Sequence, residues 1–227
     1  MFSVDKELSY RKIKIANAVV VGGMIALGKT TLAQSIVKAF PNASFCPELD
    51  DDDELWPILL KKMYERSDDN LYSSLFQLYF VIKRFYAYKA HINQNHLTVF
   101  DRSIFEDWLF AKENLNNSFL FNYYKGTYMG ICNQTIYEVG VPKLYVILSG
   151  DLELFKQRLF KRNRQVEIEN YEKNKIYFAR LLEQYESFMV NTCKNFGIEY
   201  LIVDAKLPGE VKTKMVLDKL KEIDSRK

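Results

Sequence analysis

Apolar residues along the chain form short runs that alternate with longer segments of helical periodicity. The short runs predict five β-strands, at residues 15–21, 44–46, 97–100, 143–148 and 199–203. The periodic segments predict helices at residues 30–40, 71–95, 152–161, 168–195 and 210–223. Strands that alternate with helices are typical of an α/β fold, a parallel sheet with helices on both faces. In such a sheet, ligands bind beyond the carboxyl ends of the strands.

Residues that interrupt regular structure are few. The 227 residues include five prolines and nine glycines, and none of them cluster into a linker. We therefore predict a single domain over residues 1–227, in which residues 1–14 are an N-terminal extension. Apolar residues make up 48% of the chain, enough for a sizeable core. The net charge of +3 is small and evenly spread, which argues against nucleic acid as a partner.

Three features favour a cytoplasmic location. Cys46, Cys132 and Cys193 are far apart, odd in number and form no C-x-x-C pair, which argues against a disulfide framework or a zinc site. The N-terminus carries charges early and lacks the apolar core of a signal peptide. No run approaches about twenty apolar residues, the length that spans a membrane. We therefore expect a reducing, cytoplasmic environment and no membrane partner.

The first candidate for chemistry follows the first predicted strand. Its residues spell G-x-x-x-x-G-K-T and are Gly23, Met24, Ile25, Ala26, Leu27, Gly28, Lys29 and Thr30. In such a loop, backbone N–H groups surround nucleotide phosphates, the lysine reaches the β- and γ-phosphates, and the threonine hydroxyl ligates Mg²⁺. The predicted helix continues with Thr31 and directs its positive N-terminal end at the same phosphates. The sequence thus predicts a nucleotide phosphate site with Mg²⁺.

Two other predicted strands lead into charged residues. Strand 97–100 is followed by Asp101, Arg102 and Ser103, and strand 44–46 by Pro47 and Glu48. Asp101 could cap the next helix, take a proton from a substrate hydroxyl or bind in the magnesium shell. Arg102 could stabilise charge on the transferring phosphoryl group. For Glu48, the spacing alone leaves both a surface position and a place in the site open.

Three arginines lie at the end of the predicted helix 152–161. Arg158, Arg162 and Arg164 are spaced i, i+4, i+6, and the first two share a helix face. An exposed basic helix end that complements the helix dipole is the ordinary interpretation. Close to a phosphate loop, the same arginines could form a lid that closes on the triphosphate, excludes water and neutralises the transition state.

Taken in order, these motifs resemble those of the deoxynucleoside kinases, the family of deoxycytidine, deoxyguanosine and bacterial deoxyadenosine kinases. The resemblance covers nearly all of the chain after about residue 15. Its elements are the phosphate loop, Pro47-Glu48, Phe76-Gln77 with Arg84 seven residues later, Asp101-Arg102-Ser103, and Arg158-x-x-x-Arg162-x-Arg164-x-x-Glu167. The resemblance implies a P-loop NTPase-like sheet of about five strands, an arginine lid, ATP as phosphate donor, Mg²⁺ and a homodimer.

The resemblance also implies roles around the sugar of the substrate. Glu48 would take the proton from the 5′-hydroxyl, and Arg102 would orient that hydroxyl and stabilise developing charge. Tyr64 and Glu167 would hold the 3′-hydroxyl. A tyrosine at this place crowds the 2′ position, which favours deoxyribose over ribose.

Base recognition would fall to a second group of residues. Gln77 would contact the base through both ends of its amide, with Phe76 stacked nearby. In family members that take purines or cytosine, an Arg–Asp pair beside the glutamine reads the base, and Arg84 and Asp107 fit by position. A surface salt bridge is the other interpretation of this pair. The pair favours deoxyadenosine or deoxyguanosine, with deoxycytidine as a further candidate.

We therefore predict a kinase that phosphorylates the 5′-hydroxyl of a deoxynucleoside in nucleotide salvage. A nucleoside monophosphate kinase of the thymidylate kinase type is one alternative, but it needs extra basic groups for the acceptor phosphate. A nucleotide-dependent switch is another. It would need D-x-x-G and N-K-x-D elements, and Asn174-Lys175 is followed by Ile176-Tyr177 instead.

Overall fold

The computed structural model describes residues 13–49, 52–65, 71–92, 95–115 and 119–226 of the chain. The predicted N-terminal extension, apart from residues 13 and 14, lies outside the described residues. So do residues 93 and 94 of the predicted helix 71–95.

Five strands form one parallel sheet in the order β2-β3-β1-β4-β5. They are β1 (Ile15–Gly23), β2 (Ala43–Cys46), β3 (Leu97–Asp101), β4 (Val141–Ser149) and β5 (Tyr200–Asp204). The predicted parallel α/β sheet is confirmed, with strand ends that differ from the prediction by at most two residues. β3 and β4 are buried almost throughout and β1 beyond its first residues, as expected of strands covered on both faces. Because β1 lies between β3 and β4, the phosphate loop leaves from the middle of the sheet.

The described residues contain nine helices. They are α1 (Lys29–Ala39), α2 (Leu55–Glu65), α3 (Leu71–His91), α4 (Ile104–Leu115), α5 (Phe119–Glu138), α6 (Leu152–Arg162), α7 (Gln165–Glu169), α8 (Tyr171–Phe196) and α9 (Gly209–Ser225). The predicted helix 168–195 is in fact α7 and α8, which meet at Asn170. The predictions omit α2, α4 and α5. Residues 119–128 form the first half of α5.

Helices α2, α3, α4 and α7 enclose the space above one edge of the sheet. α3 packs against α2, α4 and α5, while α4 also packs against α8. α7 contacts α2, α6 and α8 and so connects the end of α6 to this enclosure. Among the described residues, no helix has the length and hydropathy needed to cross a bilayer.

Candidate active site

A cavity with about 670 Å³ of empty space, part of it open to solvent, lies where the loops after β1, β2 and β3 meet α2, α3, α4 and α7. All eight residues that the resemblance assigns to the nucleoside line this cavity. They are Glu48, Tyr64, Phe76, Gln77, Arg84, Arg102, Asp107 and Glu167. Lys29, Arg162 and Arg164 also line it, so the cavity adjoins both the phosphate loop and the end of α6.

The phosphate loop is curled by residues with left-handed backbone. Ala26 and Gly28 have φ values of 62° and 93°, which turn the chain back between β1 and α1. Arg158 of α6 holds this loop from the side: its Nη1 donates to the carbonyl of Leu27 at 2.7 Å. Its Nη2 donates to the carbonyl of Ala205 at 2.8 Å, just after β5. The side chain of Arg158 therefore connects the loop that follows β1 to the loop that follows β5.

Lys29 is buried inside the loop that it belongs to. Its Nζ donates to the carbonyl of Met24 at 3.0 Å. Burial lowers the pKa of Lys29 to about 8, and Arg102 adds to this effect, while Asp101 and Glu48 act against it. A bound phosphate would supply negative charge and stabilise the ammonium form.

Thr30 and Asp101 form the pair from which we expected magnesium ligands. The Thr30 hydroxyl donates to Oδ2 of Asp101, and Oδ1 of Asp101 is buried with no hydrogen-bond partner. Burial raises the pKa of Asp101, and Glu48 adds to the rise, whereas Lys29 opposes it. Mg²⁺ prefers oxygen ligands of this kind. The residues present thus fit Mg²⁺, which would supply the missing partner of Oδ1 of Asp101. Thr31, the next residue of α1, is exposed.

Glu48 is held by two guanidinium groups, which argues against a place on the open surface. Its Oε1 lies 2.7 Å from Nε of Arg102 and 3.0 Å from Nη2 of Arg84. Burial alone would raise the pKa of Glu48, but Arg102, Arg84 and Lys29 together outweigh it and lower the pKa to about 2. The carboxylate therefore stays ionised at any pH at which the protein would be assayed.

Arg102 has an unusual backbone conformation and four contacts that hold it in place. Its φ is 73°, a left-handed value that costs a residue other than glycine about 1–3 kcal/mol. Its backbone N–H donates to the carbonyl of Val21 at 3.0 Å. The guanidinium pairs with Glu48 and Glu106, and it lies 4.8 Å from the ring centre of Phe110. Strain of this kind persists only where the surroundings fix the residue firmly.

Arg84 and Asp107 form a buried ion pair beside Gln77. Nη1 of Arg84 contacts Oδ1 of Asp107, and the guanidinium lies 4.8 Å from the ring centre of Phe80. Because both residues are buried, the surface salt-bridge interpretation is wrong. Burial raises the pKa of Asp107 to about 7, an effect that Arg84 opposes and the nearby charge of Glu106 reinforces. The Gln77 amide has no hydrogen-bond partner among the described residues, so both of its ends remain available to a ligand.

Tyr64 and Glu167 face the same cavity from α2 and α7, and both are buried. Burial raises the pKa of Tyr64 well above its usual value, and the charge of Glu167 adds to the rise. Oε2 of Glu167 is buried without a hydrogen-bond partner. The two residues lie close enough to bind neighbouring atoms of one ligand.

Two of the three predicted lid arginines gather around Glu167. Arg164 donates from Nη1 to Oε1 of Glu167 at 2.9 Å, and its guanidinium lies 5.2 Å from the ring centre of Trp56. Nη1 of Arg162 is 3.9 Å from the same carboxylate, and its side chain is 37% exposed. Arg158 lies apart from them, bound to the phosphate loop. Of the three predicted lid arginines, Arg162 is thus the one least constrained by contacts with other residues.

The family model that describes the deoxynucleoside kinases matches residues 19–223 of this chain. The chain belongs to the deoxynucleoside kinase family. It is therefore a kinase, and its acceptor is a nucleoside.

Individual relatives agree with this assignment. An uncharacterised protein of Mycoplasma pneumoniae is 52% identical over 212 residues, which cover 93% of each chain. The deoxyguanosine kinase of Lactobacillus acidophilus is 26% identical over 216 residues, 90% of this chain and 91% of the relative. Among solved structures, the deoxyadenosine kinase of Mycoplasma mycoides with bound dCTP has a TM-score of 0.72 at 20% identity. The match covers 90% of this chain and 99% of that one, and it confirms the fold.

The sequence motifs of this kinase did not indicate Glu106. Its carboxylate accepts from the backbone N–H of Ser103 at 3.0 Å, and the Ser103 hydroxyl accepts from Phe105 at 3.3 Å. This is a capping box, for which S-x-x-E directly before an apolar helix is the sequence signal. The apolar walls of the cavity, which include Phe80, Phe110 and Tyr177, carry no comparable signal because they come from three different stretches of chain.

Proposed function

We propose that this kinase transfers the γ-phosphoryl group of ATP to the 5′-hydroxyl of a deoxynucleoside and prefers a purine base. The supporting observation is the pairing of charges in the cavity. Arg84 and Arg102 share the carboxylate of Glu48, and each has a second carboxylate partner. Arg164 is paired with Glu167. An acceptor phosphate would have to compete with these carboxylates, so an uncharged nucleoside suits the cavity better than a nucleoside monophosphate.

Glu48 is proposed to orient the 5′-hydroxyl and to take its proton. With a pKa of about 2, this carboxylate is a weak base toward a free hydroxyl but a permanent hydrogen-bond acceptor. Phosphoryl transfer has a loose transition state, in which the attacking hydroxyl becomes acidic only as its bond to phosphorus forms. Glu48 therefore takes the proton late in the reaction. Arg102, whose Nε lies 2.7 Å from Glu48, would stabilise charge at the same point.

The donor is proposed to bind through the phosphate loop. Lys29 would exchange its hydrogen bond to Met24 for a phosphate oxygen. Mg²⁺ bound at Thr30 and Asp101 would neutralise charge on the β- and γ-phosphates. Arg162, whose side chain is 37% exposed, would add positive charge from the predicted lid to balance the phosphates.

The base is proposed to lie between Gln77 and the Arg84–Asp107 pair. A glutamine amide offers a donor and an acceptor together, which matches one edge of a base. The Lactobacillus acidophilus relative acts on deoxyguanosine, and the Mycoplasma mycoides enzyme binds dCTP. These names support a purine as preferred substrate, with deoxycytidine as a second one. We expect the reaction to belong to nucleotide salvage in the cytoplasm.

A homodimer through α3 and α5 is also proposed. These helices pack against each other, and both expose large apolar side chains. The exposed residues are Leu75, Ile82, Tyr86, Phe119, Tyr123 and Tyr137. Exposed apolar surface of this extent is typical of protein interfaces.

The proposal is tested by comparing kcat/KM for five acceptors with ATP and Mg²⁺. The acceptors are deoxyadenosine, deoxyguanosine, deoxycytidine, thymidine and deoxyadenosine monophosphate. We expect one of the purine deoxynucleosides to be preferred. Turnover of the monophosphate alone would replace the proposal with a monophosphate kinase, and preference for thymidine would refute the role of the Arg84–Asp107 pair.

A further inference from the structure

Glu106 is a charged residue that is completely inaccessible to solvent, at the start of α4. Four donors surround its carboxylate. Oε1 accepts from the backbone of Ser103 at 3.0 Å and from the Tyr145 hydroxyl at 2.8 Å. Oε2 accepts from the Tyr185 hydroxyl at 2.7 Å and from Nη1 of Arg102 at 2.6 Å. These donors come from the β3–α4 turn, β4 and α8.

The capping box explains only one of these four contacts. A glutamate at the third position of a helix can cap the helix while it remains on the surface. Burying a carboxylate is unfavourable, and apolar residues of similar volume often serve stability as well as a buried ion pair does. Stability therefore gives no reason for three further donors to meet at this point.

Gly22 provides the space in which the two tyrosines meet the carboxylate. A Cβ at Gly22 would lie 2.6 Å from the Tyr185 hydroxyl and would also collide with the hydroxyl of Tyr145. The network thus depends on the absence of a side chain in the strand residue directly before the phosphate loop. The residues of the network meet at one place in the core, next to Arg102.

The function of the network is clearest from the guanidinium of Arg102. Nη1 donates to Glu106, Nε lies 2.7 Å from Oε1 of Glu48 as an ion pair without hydrogen-bond geometry, and one face lies on Phe110. A planar guanidinium fixed by one hydrogen bond, one ion pair and one aromatic face has a single orientation. Its Nη2 makes no hydrogen bond to a described residue.

We propose that Glu106 is a positioning residue, which fixes the guanidinium of Arg102 so that Nε meets Glu48 and Nη2 remains available to the reacting groups. Tyr145 and Tyr185 in turn fix Glu106. This inference rests on the proposed function, because it assumes that Arg102 and Glu48 act on the 5′-hydroxyl. It adds a residue that contacts neither substrate but determines the geometry of one that does.

The test is Glu106→Gln, which keeps the shape of the side chain and removes its charge. We expect kcat for the preferred nucleoside to fall about tenfold to a hundredfold, with KM for nucleoside and ATP within about twofold of wild type. The matched control is Glu113→Gln in the same helix, since Glu113 also contacts α8, through Gln184, but has no contact with Arg102. The control should retain wild-type kcat. A fall of melting temperature in Glu106→Gln with unchanged kcat would show a purely structural role and overturn the inference.

A second comparison tests whether Glu106 acts through Arg102. In an Arg102→Lys background, Glu106→Gln should reduce kcat much less than it does in the wild type, because the group it positions is gone. The same reduction in both backgrounds would overturn the inference. If Glu106→Gln does not fold, Tyr185→Phe and Tyr145→Phe each remove one donor, and we expect kcat to fall about fivefold in each. Wild-type kcat in both would count against the network.

The proposed function and the positioning role of Glu106 can fail separately. Wild-type protein that phosphorylates no nucleoside refutes the proposed function before any variant is compared. Wild-type activity together with equal kcat in Glu106→Gln and Glu113→Gln leaves the proposed function intact and refutes only the role of Glu106.

Discussion

Glu48 and Asp107 are carboxylates of the same cavity, but their surroundings shift their pKa values in opposite directions. Burial raises the pKa of both groups. For Glu48, two guanidiniums and Lys29 outweigh burial, and the pKa falls to about 2. For Asp107, Arg84 is the main opposing charge and the negative charge of Glu106 reinforces burial, so the pKa rises to about 7. Two carboxylates with separated pKa values can serve two different purposes.

The first prediction concerns Glu48→Gln. We expect kcat to fall by about a hundredfold or more, because an amide cannot take the proton of the hydroxyl. Since the pKa of Glu48 is about 2, the wild-type kcat profile should show no loss of activity from this group between about pH 5 and pH 8. Steady-state kinetics across this range check both statements. Full activity of Glu48→Gln would remove Glu48 from the mechanism.

The second prediction concerns Asp107, whose pKa of about 7 lies within the assay range. In the proposed base site, the carboxylate that is ionised above that pH would accept a hydrogen bond from the exocyclic amino group of the base. We therefore expect kcat/KM for deoxyadenosine to rise between about pH 6 and pH 8, as Asp107 loses its proton. In Asp107→Asn this rise should be absent. An equal rise in the variant would assign the titration to another group.

At the residue scale, the sequence is sufficient where a local motif carries the chemistry. Glu48, Gln77 and Arg102 each lie in such a motif, and the structure brings all of them to one cavity. Phe110 and Tyr177 could not be predicted, because nothing near them in sequence distinguishes a cavity wall from ordinary core. Glu106 lies between: its capping-box pattern was readable, but its contacts with β4 and α8 were not.

At the scale of elements, β1 serves two purposes within nine residues. Its first part is a central strand, and its end provides space for the tyrosines of β4 and α8 before it opens into the phosphate loop. Gly22 is needed for that space, whereas its neighbour Gly23 has a φ of 151° and closely approaches Leu148. Replacing either glycine would disturb the strand and the loop together.

The third prediction is that Gly22→Ala destabilises the protein by about 1–3 kcal/mol and also lowers kcat, because the added Cβ displaces Tyr145 and Tyr185. Chemical denaturation and steady-state kinetics measure the two effects. The matched control is Gly209→Ala, since a Cβ there meets nothing within 4 Å. We expect its stability to stay within about 0.5 kcal/mol of wild type. Equal effects of the two substitutions would contradict the steric explanation.

The fourth prediction concerns Arg162, the last residue of α6. Arg162→Ala should lower kcat by about a thousandfold if this arginine neutralises the transferring phosphoryl group. The melting temperature of this variant should barely change. The side chain of Arg162 is 37% exposed, and its Nη1 lies 3.9 Å from Oε1 of Glu167, which is too far for a hydrogen bond. Lys161→Ala removes a neighbouring exposed charge from the same helix and serves as control. Similar kcat in both variants would leave Arg162 outside the reaction.

Secondary structure was predictable where periodicity was clear. The alternation of strands and helices identified all five strands of the sheet. α4 was not predictable in this way because nine of its twelve residues are buried, so it has no continuous polar face. α2 contains Pro57, which usually indicates a break, although the residue lies in the first turn, where proline is tolerated.

At the scale of the whole molecule, the enclosing helices leave a second apolar surface on α3 and α5. Gln77 and Arg84 of α3 are buried toward the cavity, while Leu75, Ile82 and Tyr86 of the same helix are exposed. A helix that buries one face within its own fold and exposes large apolar side chains on another is explained by a partner on the exposed face. For this reason we expect the state of assembly and the substrate cavity to be connected through α3.

The fifth prediction is that Ile82→Glu converts the proposed dimer into a monomer. A carboxylate in an apolar interface would remain without a counter-charge, which makes association unfavourable. Light scattering after size-exclusion chromatography gives the mass directly. Val211→Glu introduces the same charge at an exposed apolar position of α9 and should leave the mass unchanged. A wild-type protein that is already monomeric would refute the dimer.

In the proposed function, one oxygen atom links recognition of the base to the chemistry at the sugar. Oε1 of Glu48 contacts both Arg84, which pairs with Asp107, and Arg102. An evolutionary change of base preference that replaces Arg84 would therefore also change the charge around Glu48. A new base preference in this cavity would therefore require a compensating change at the reaction centre. We expect variants that lie between two base preferences in evolution to have an altered kcat.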